Sequence, residues 1–283
     1  MKRFLVVAIA LFAFKASGQI AENMFFTEMV KRSHDSQSSI LRVQGNLNFG
    51  SNGVDNVFAS KMAFGGHIEK DRIKDIYTNM KTNGRVKTDL NYHLQFWSND
   101  SLNSKKWNLY GGIGSRYYGQ GSFNKDVFGI LFRGNKPYAG TSLDLKNTDA
   151  TVLQYMKYSI GVHREYQNKK GNLSSFTGAS LSYIQGIDYL NFETKNTSLF
   201  TEASGQYVDL DLQYKLTRAS RPKGFSHLQG HGVAIDAFYG KIEENYFWET
   251  SISDLGMVAF SNLISFICFV GWLFMLTPPN PCD

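Results

Sequence analysis

A long hairpin with two-residue alternation, from Gly230 to Gly256, is the feature that most constrains the fold of this chain. One row of its first half is apolar and the other is mixed: Val233, Ile235, Ala237 and Tyr239 alternate with Gly232, Ala234, Asp236 and Phe238. A polar segment at 243–245 separates this run from a second alternating run. Period two on both sides of a turn is the signature of a β-hairpin. An apolar row with an aromatic residue near the turn is typical of a strand that faces lipid.

Alternation in the preceding sequence indicates an antiparallel β fold. The predicted strands cover 41–49, 57–68, 85–97, 107–118, 141–145, 151–166, 175–186 with a continuation at 189–195, and 207–217. A soluble strand typically has about five or six residues, whereas a tilted membrane strand needs about nine to eleven. The 85–97 segment has the length of a membrane strand. Short helices are expected at 70–83 and 123–133, where period two is lost.

One face of these strands carries charged and polar residues of both signs. They are Arg42, Gln44, Lys87, Asp89, His93, Asp209, Asp211 and Lys215. A dry core would not hold them unpaired. They would form the outer face of a soluble β-sandwich, or line the wet interior of a barrel. Strand length and the export signal favour an all-β, antiparallel transmembrane β-barrel over residues 19–256, with one or two short helices.

The N-terminus predicts export from the cytoplasm. Lys2 and Arg3 precede an apolar run over 4–14, and small residues then surround a cleavage point after Gly18, so residues 1–18 resemble a secretory signal peptide. Loss of this leader removes three basic residues and no acid, which lowers the formal net charge from +6 to +3. Nucleic acid is therefore a poor candidate partner. Both cysteines, Cys268 and Cys282, lie near the end, so residues 19–260 contain no thiol for disulfides or metal sites.

Several segments between Asp126 and Gly256 resemble one family of outer-membrane proteins. They are DVFGILFRGN with the later YAG, TVLQYMKYSIGVHREY, FTGASLSYIQGI, and GHGVAID with ISDLG. The family consists of outer-membrane β-barrels of unknown function from Bacteroidota-type bacteria, similar in style to long-chain fatty acid transporter-like porins. The matching motif positions are Gly230, Gly232, Asp236, Ser251, Asp254, Leu255 and Gly256. The resemblance implies structural roles for these residues, and implies further strands after Gly256 that this chain lacks, so an incomplete barrel is expected.

The tail at 257–283 breaks the alternating pattern. No Asp, Glu, Lys or Arg occurs from Leu255 to Cys282, and 264–276 is apolar on every side. Two interpretations stay open. One is a transmembrane helix, for which the apolar stretch is long enough. The other is a shifted reading frame that replaced the later strands of the barrel.

No set of catalytic, cofactor-binding or metal-binding residues emerges from the sequence, and we expect the protein not to be an enzyme. The glycines at 111, 112 and 114 lie inside an alternating strand and lack the helix that follows a nucleotide loop. His227 and His231 are four apart, but not on a helix, which makes a metal pair improbable. Asp236 and Asp254 could face each other inside the barrel, in structural roles. The expected location is the outer membrane, with lipid as partner.

The resemblance implies passive uptake of small or apolar solutes as the function. Two alternatives remain from the sequence. One is an envelope structural or assembly protein that transports nothing. The other is a secreted β-sandwich tethered by a C-terminal helix.

Overall fold

The computed structural model describes residues 39–80, 83–101, 107–219, 230–243, 246–260 and 263–276. The predicted signal peptide at 1–18 and His227 lie outside these ranges. Within these ranges the strands are β1 (Ile40–Ser51), β2 (Asn83–Ser101), β3 (Trp107–Asn124), β4 (Ser142–Asp144), β5 (Asp149–Gln167), β6 (Leu173–Thr194), β7 (Ser198–Thr201), β8 (Val208–Asp211), β9 (Tyr214–Arg218), β10 (Gly230–Ile242), β11 (Tyr246–Phe260) and β12 (Leu263–Leu276). The same described ranges contain the helices α1 (Asn56–Phe64), α2 (Lys70–Asn79) and α3 (Lys125–Arg133).

The long strands form one antiparallel sheet, which confirms the predicted all-β class. Its order is β1-β2-β3-β5-β6-β10-β11-β12, with β9 added beside the end of β6. The sheet is strongly curled. Arg116 on β3 and Asp254 on β11 are four strands apart, which is about 19 Å in a flat sheet, yet their side chains lie 3.1 Å apart.

The enclosed side of the sheet is filled in layers. An aromatic layer contains Trp97, Tyr110, Phe176 and Phe238, with Trp97 stacked on Tyr110 at 4.7 Å between ring centres. Trp97 on β2 also meets Phe238 on β10 at 5.9 Å, again across four strands. A second apolar layer includes Tyr155, Ile184, Val258 and Phe260. Buried charged residues lie between the two layers.

The two ends of the sheet differ in their connections. At one end, the short-turn end, β2–β3, β5–β6 and β10–β11 are joined by at most five residues. The opposite, long-connection end contains the described residues 52–80, 125–148 and 195–219, with α1, α2, α3 and the small sheet β4-β7-β8. The aromatic layer lies toward the short-turn end. The connection lengths therefore give the sheet one end with short turns and one end that carries the helices and the small sheet.

The helices pack together at the long-connection end as a helical cap. Its buried residues are Phe58, Ile76, Met80 and Phe128. Phe128 contacts Phe58 and Phe132, with ring centres 5.7 and 4.7 Å apart. The predicted helices at 70–83 and 123–133 are confirmed as α2 and α3, both shorter than their predicted ranges.

The prediction of a strand at 57–68 is wrong, because this segment contains α1. The Asp55 carboxylate caps the helix by accepting a hydrogen bond of 2.9 Å from the Phe58 amide. That hydrogen bond, followed by the guanidinium of Arg72, holds the pKa of Asp55 below its usual value. Gly65 ends the helix with a φ of 84°, which favours glycine. A cap residue before the segment and two glycines after it were the sequence signals for a helix.

The tail prediction also needs correction. Residues 257–260 continue β11, and 263–276 form β12, paired with β11 from Phe260↔Leu263 to Tyr246↔Leu276. A continuous apolar run can be a strand or a helix, and its many β-branched and aromatic residues favour the strand. Among the described residues, no helix combines the length and hydropathy needed to cross a membrane. The helical tether of the sandwich alternative is therefore not found over 263–276.

The single strand predicted at 207–217 is divided between two sheets. Residues 208–211 form β8, which pairs with β7, whereas 214–218 form β9, which pairs with β6. The predicted strands at 175–186 and 189–195 are instead one long strand, β6.

We predict that Phe128→Ala unfolds the helical cap locally. Truncating a buried Phe costs about 3–5 kcal/mol, and Phe128 is only 1% exposed. Hydrogen exchange of the α1 and α3 amides should accelerate, while exchange of the β5–β6 amides stays unchanged. Leu131→Ala is the matched control on the same helix, since Leu131 is 70% exposed. Equal acceleration in both variants would contradict the assigned packing.

Candidate functional site

Five charged side chains meet inside the curled sheet and form what we call the ion-pair cluster. They are Asp89, Arg116, Lys157, Asp236 and Asp254. Each comes from a different strand: β2, β3, β5, β10 and β11. The side chains are buried, the most exposed being Lys157 at 13%. The cluster thus connects strands from both halves of the sheet.

Arg116 links the two halves directly. Its Nε donates to Asp89 Oδ1 at 2.8 Å, and one terminal nitrogen donates to Asp89 Oδ2, which makes the pair bidentate. Its other terminal nitrogen donates to Asp254 Oδ2 at 3.1 Å. Planar, forked donors make Arg the residue best suited to such paired contacts.

Lys157 completes the network from β5. Its ammonium donates to Asp236 Oδ1 at 2.7 Å and to Asp254 Oδ1 at 2.5 Å. The cluster holds three carboxylates against two cations, a formal charge of −1. Neutral donors stabilise the excess: the Tyr155 hydroxyl donates to Asp254 at 2.9 Å, and the Ser180 hydroxyl donates to Asp236 at 2.7 Å. Every carboxylate oxygen therefore accepts at least one hydrogen bond, as burial requires.

A β-bulge aims Asp254 into the interior. Residues 251 and 254 are three apart, so a regular strand would turn them to opposite faces, yet both are buried. The pairing with β10 shifts between Ile235 and Ala237, so that two residues of β11 oppose Asp236. Asp254 has a φ of 55°, and its amide donates to Asp236 Oδ1 at 2.8 Å. The extra residue of the bulge switches the strand's alternation at that point.

The glycines of the motif allow close approach of the backbones around this bulge. A Cβ on Gly256 would lie 2.6 Å from Ala234 Cα, and one on Gly232 would lie 2.8 Å from Val258 Cα. Gly230 lies under the ring of Phe260, where a Cβ would come within 2.9 Å of Cδ1. Leu255 points to the outer face and is 50% exposed. The glycines of the motif therefore make room for the bulge, and its two aspartates provide the buried carboxylates there.

A cavity of about 70 Å³ adjoins the cluster. It has room for a few water molecules. Its lining includes Lys157, Asp236 and Asp254, the Tyr110 side chain, and Gln44 from β1. Residues of β1 and β11 thus face one small space, although they lie near opposite ends of the sheet order.

The structure brings together only part of what the sequence singled out. Asp236 and Asp254 do share one site, whereas Ser251 is buried nearby on β11 and Leu255 faces outward. Asp89 belonged to the predicted charged face, but Asp209 and Asp211 lie on the exposed strand β8. Sequence reasoning missed Arg116 and Lys157. Lys157 had a signal, since it is the one charged residue between Asp149 and His163 on a long strand.

The other residues that the sequence singled out form none of the ion pairs of the cluster. The glycines at 111, 112 and 114 lie within β3, in accord with the strand interpretation. His231 on β10 contacts the Tyr183 hydroxyl. Within the ranges that the structure covers, no three His, Cys, Asp or Glu side chains converge in a way that could hold a metal ion. With its carboxylates and cations mutually paired, the cluster acts as a cross-link between strands.

We predict that Asp254→Ala is severely destabilising. The change removes one of the two carboxylates that Arg116 and Lys157 each contact. Breaking a buried ion pair by removing one partner costs about 3–5 kcal/mol. Asp144→Ala is the control, because the Asp144–Lys146 pair is 48% and 52% exposed and should contribute less than about 1 kcal/mol. Urea unfolding measures both values.

A double-mutant cycle sharpens the test. Lys157→Met combined with Asp254→Ala should cost less than the sum of the two single changes, because the residues contact each other. Additive costs would mean that this contact stabilises nothing.

Comparison of the chain with protein-family models, with curated proteins and with solved structures gave no match.

Proposed function

We propose that this chain is an outer-membrane β-barrel protein that spans the bilayer and keeps its interior closed, in a structural or assembly role in the envelope. The carrying observation is the distribution of its side chains, with large apolar residues exposed and charges buried. Leu41 and Val43 on β1, Ile160 on β5, Leu181 on β6 and Ile235 on β10 are all more than half exposed.

The energetics of this distribution favour lipid around the sheet. Covering one exposed aliphatic side chain is worth about 1.5–3 kcal/mol, and the exposed apolar residues recur on every long strand whose side chains are described, from β1 to β11. The strands are also long, from 12 residues in β1 to 22 in β6. That length exceeds the roughly nine to eleven residues that a tilted strand needs to cross a bilayer.

Closure of the barrel through β1 and β12 is part of the proposal. Eight strands lie on the path from β1 to β12, and an eight-stranded barrel is just wide enough for side chains to fill it. The shared cavity at β1 and β11 supports this closure. The asymmetry of the ends supports an orientation, because outer-membrane barrels have short periplasmic turns and long external loops. The helical cap would then lie outside the cell.

The packed interior favours a structural role over free passage. Trp97 and Phe176 in the aromatic layer and Arg116 in the cluster are at most 2% exposed. Passive uptake of a small solute is the second candidate, supported by the cavity beside the cluster. Its polar lining suits a small polar solute better than an apolar one.

A charge on the exposed face tests membrane insertion. Val43→Arg should destabilise the protein folded in lipid vesicles by about 2–4 kcal/mol if Val43 faces the hydrocarbon. Val43 is 81% exposed. If it faces water instead, the same change should alter the free energy of unfolding by no more than about 0.5 kcal/mol. Leu131→Arg, on an exposed face of α3, is the control and should change little. Equal, small effects of both changes would refute the membrane assignment.

Solute flux tests the closed interior. Liposomes that contain the wild-type protein should swell in a small sugar no faster than protein-free liposomes. Lys157→Ala with Asp254→Ala empties part of the cluster and leaves Arg116 paired with Asp89, so swelling should increase in this variant alone. Asp144→Ala with Lys146→Ala is the matched control. Rapid swelling with the wild type would favour the uptake alternative.

A further inference from the structure

A polar groove of about 550 Å³ opens at the long-connection end of β1, β2, β3 and β5. Its polar lining includes Ser51, Asn52, Arg85, Lys87, Gln120, Ser122 and Asp149. Arg85 and Lys87 alternate on β2 with Asp89 below them, so all three lie on the enclosed face of the sheet. The groove is therefore the entrance to the interior, one step above the ion-pair cluster.

Two cations in this groove have no counter-ion among the described residues. Arg85 and Lys87 are both exposed, and neither forms an ion pair within the part of the chain that the structure describes. Lys87 lies over the ring of Tyr118, with its Nζ 5.2 Å from the ring centre. Arg116 and Lys157, a short distance below, are fully paired. The two cations at the entrance are thus available to a ligand.

The one carboxylate in the lining does not neutralise them. Register places Arg85 opposite Ser122 and Ser122 opposite Asp149, so two strand spacings of about 10 Å in total separate Arg85 from Asp149. Asp149 accepts a hydrogen bond from the Ser122 hydroxyl. The lining as a whole therefore carries a formal charge of +1, and both of its cations lie on β2.

Neutral donors surround these cations. The Ser51 hydroxyl oxygen accepts from the Gly53 and Val54 amides at 3.0 Å, which leaves its hydrogen to donate. The Gln120 side-chain oxygen accepts from the Tyr118 hydroxyl at 2.8 Å, which leaves its NH₂ group as a donor. A forked guanidinium, an ammonium and neutral donors around one space match the needs of a phosphate-type oxyanion.

We propose that this groove binds a phosphate group at Arg85 and Lys87. The phosphate could belong to a free anion or to the headgroup of an anionic lipid, and both present the same chemistry. This site does not depend on the structural role proposed above, since a detergent-solubilised chain contains the same groove.

Titration of inorganic phosphate into the full chain in neutral detergent tests the site. Arg85→Gln with Lys87→Gln should weaken binding about tenfold or more, because each charge-assisted hydrogen bond is about twice as strong as a neutral one. Lys169→Gln with Lys241→Gln is the control at the short-turn end, with the same loss of two charges. Both pairs of positions are exposed, and unchanged circular dichroism checks that each variant folds.

The source of the phosphate is tested with lipid nanodiscs. A lipid ligand predicts that thermal unfolding shifts upward when phosphatidylglycerol replaces phosphatidylcholine, and that Arg85→Gln with Lys87→Gln abolishes this shift. A free anion predicts no lipid-dependent shift but retained binding of inorganic phosphate. The proposal is overturned if the variant changed at Arg85 and Lys87 and the control behave alike with both probes.

Discussion

The contact between Arg116 and Asp254 is the interaction on which the curled sheet depends. It joins strands that are four positions apart in the sheet order, and both side chains are almost wholly buried. A flat sheet would leave Arg116 paired with Asp89 on the adjacent strand, but it would hold Asp254 far from Arg116 and remove this contact between the two halves of the sheet. The charges thus penalise every arrangement in which the strands pair correctly but the sheet fails to roll. Trp97 and Phe238 add the same constraint through apolar packing.

The bulge at Asp254 makes that contact possible. Without the extra residue, the side chain at 254 would lie on the outer face with that of Ile252. Arg116 and Lys157 would then each keep a single carboxylate partner, and no contact would join Arg116 to β11. The positive φ of Asp254 costs backbone strain, which the hydrogen bond from its amide to Asp236 offsets in part. Gly232 and Gly256 matter because backbones crowd around the same irregularity. One local departure from regular pairing therefore determines the long-range closure of the network.

Two-residue alternation of apolar and polar side chains predicted most of the long strands, and the segments where it failed have physical causes. It found β2, β3, β5 and the β10–β11 hairpin, because their outer and inner rows differ in chemistry. It failed at 57–68, where the Asp55 cap outweighs an ambiguous pattern, and at 263–276, where both faces are apolar and alternation gives no signal. The proximity of Asp236 and Asp254 was foreseeable from their positions in one hairpin. Their contacts with Arg116 and Lys157 were not, since strand order and curl are non-local properties.

The arrangement of charge along the interior separates two kinds of cation. Arg116 and Lys157 lie between two apolar layers, where a charge is tolerable only with a partner, and each has two carboxylates within reach. Arg85 lies near the start of β2, at the long-connection end and outside those layers. Water can solvate its charge there, so no partner is required. The same strand face thus changes from a structural to an accessible surface over about two steps of alternation. A ligand that meets Arg85 and Lys87 would reach the entrance of the interior without disturbing the paired charges below, so binding at the groove and the integrity of the cluster can vary independently.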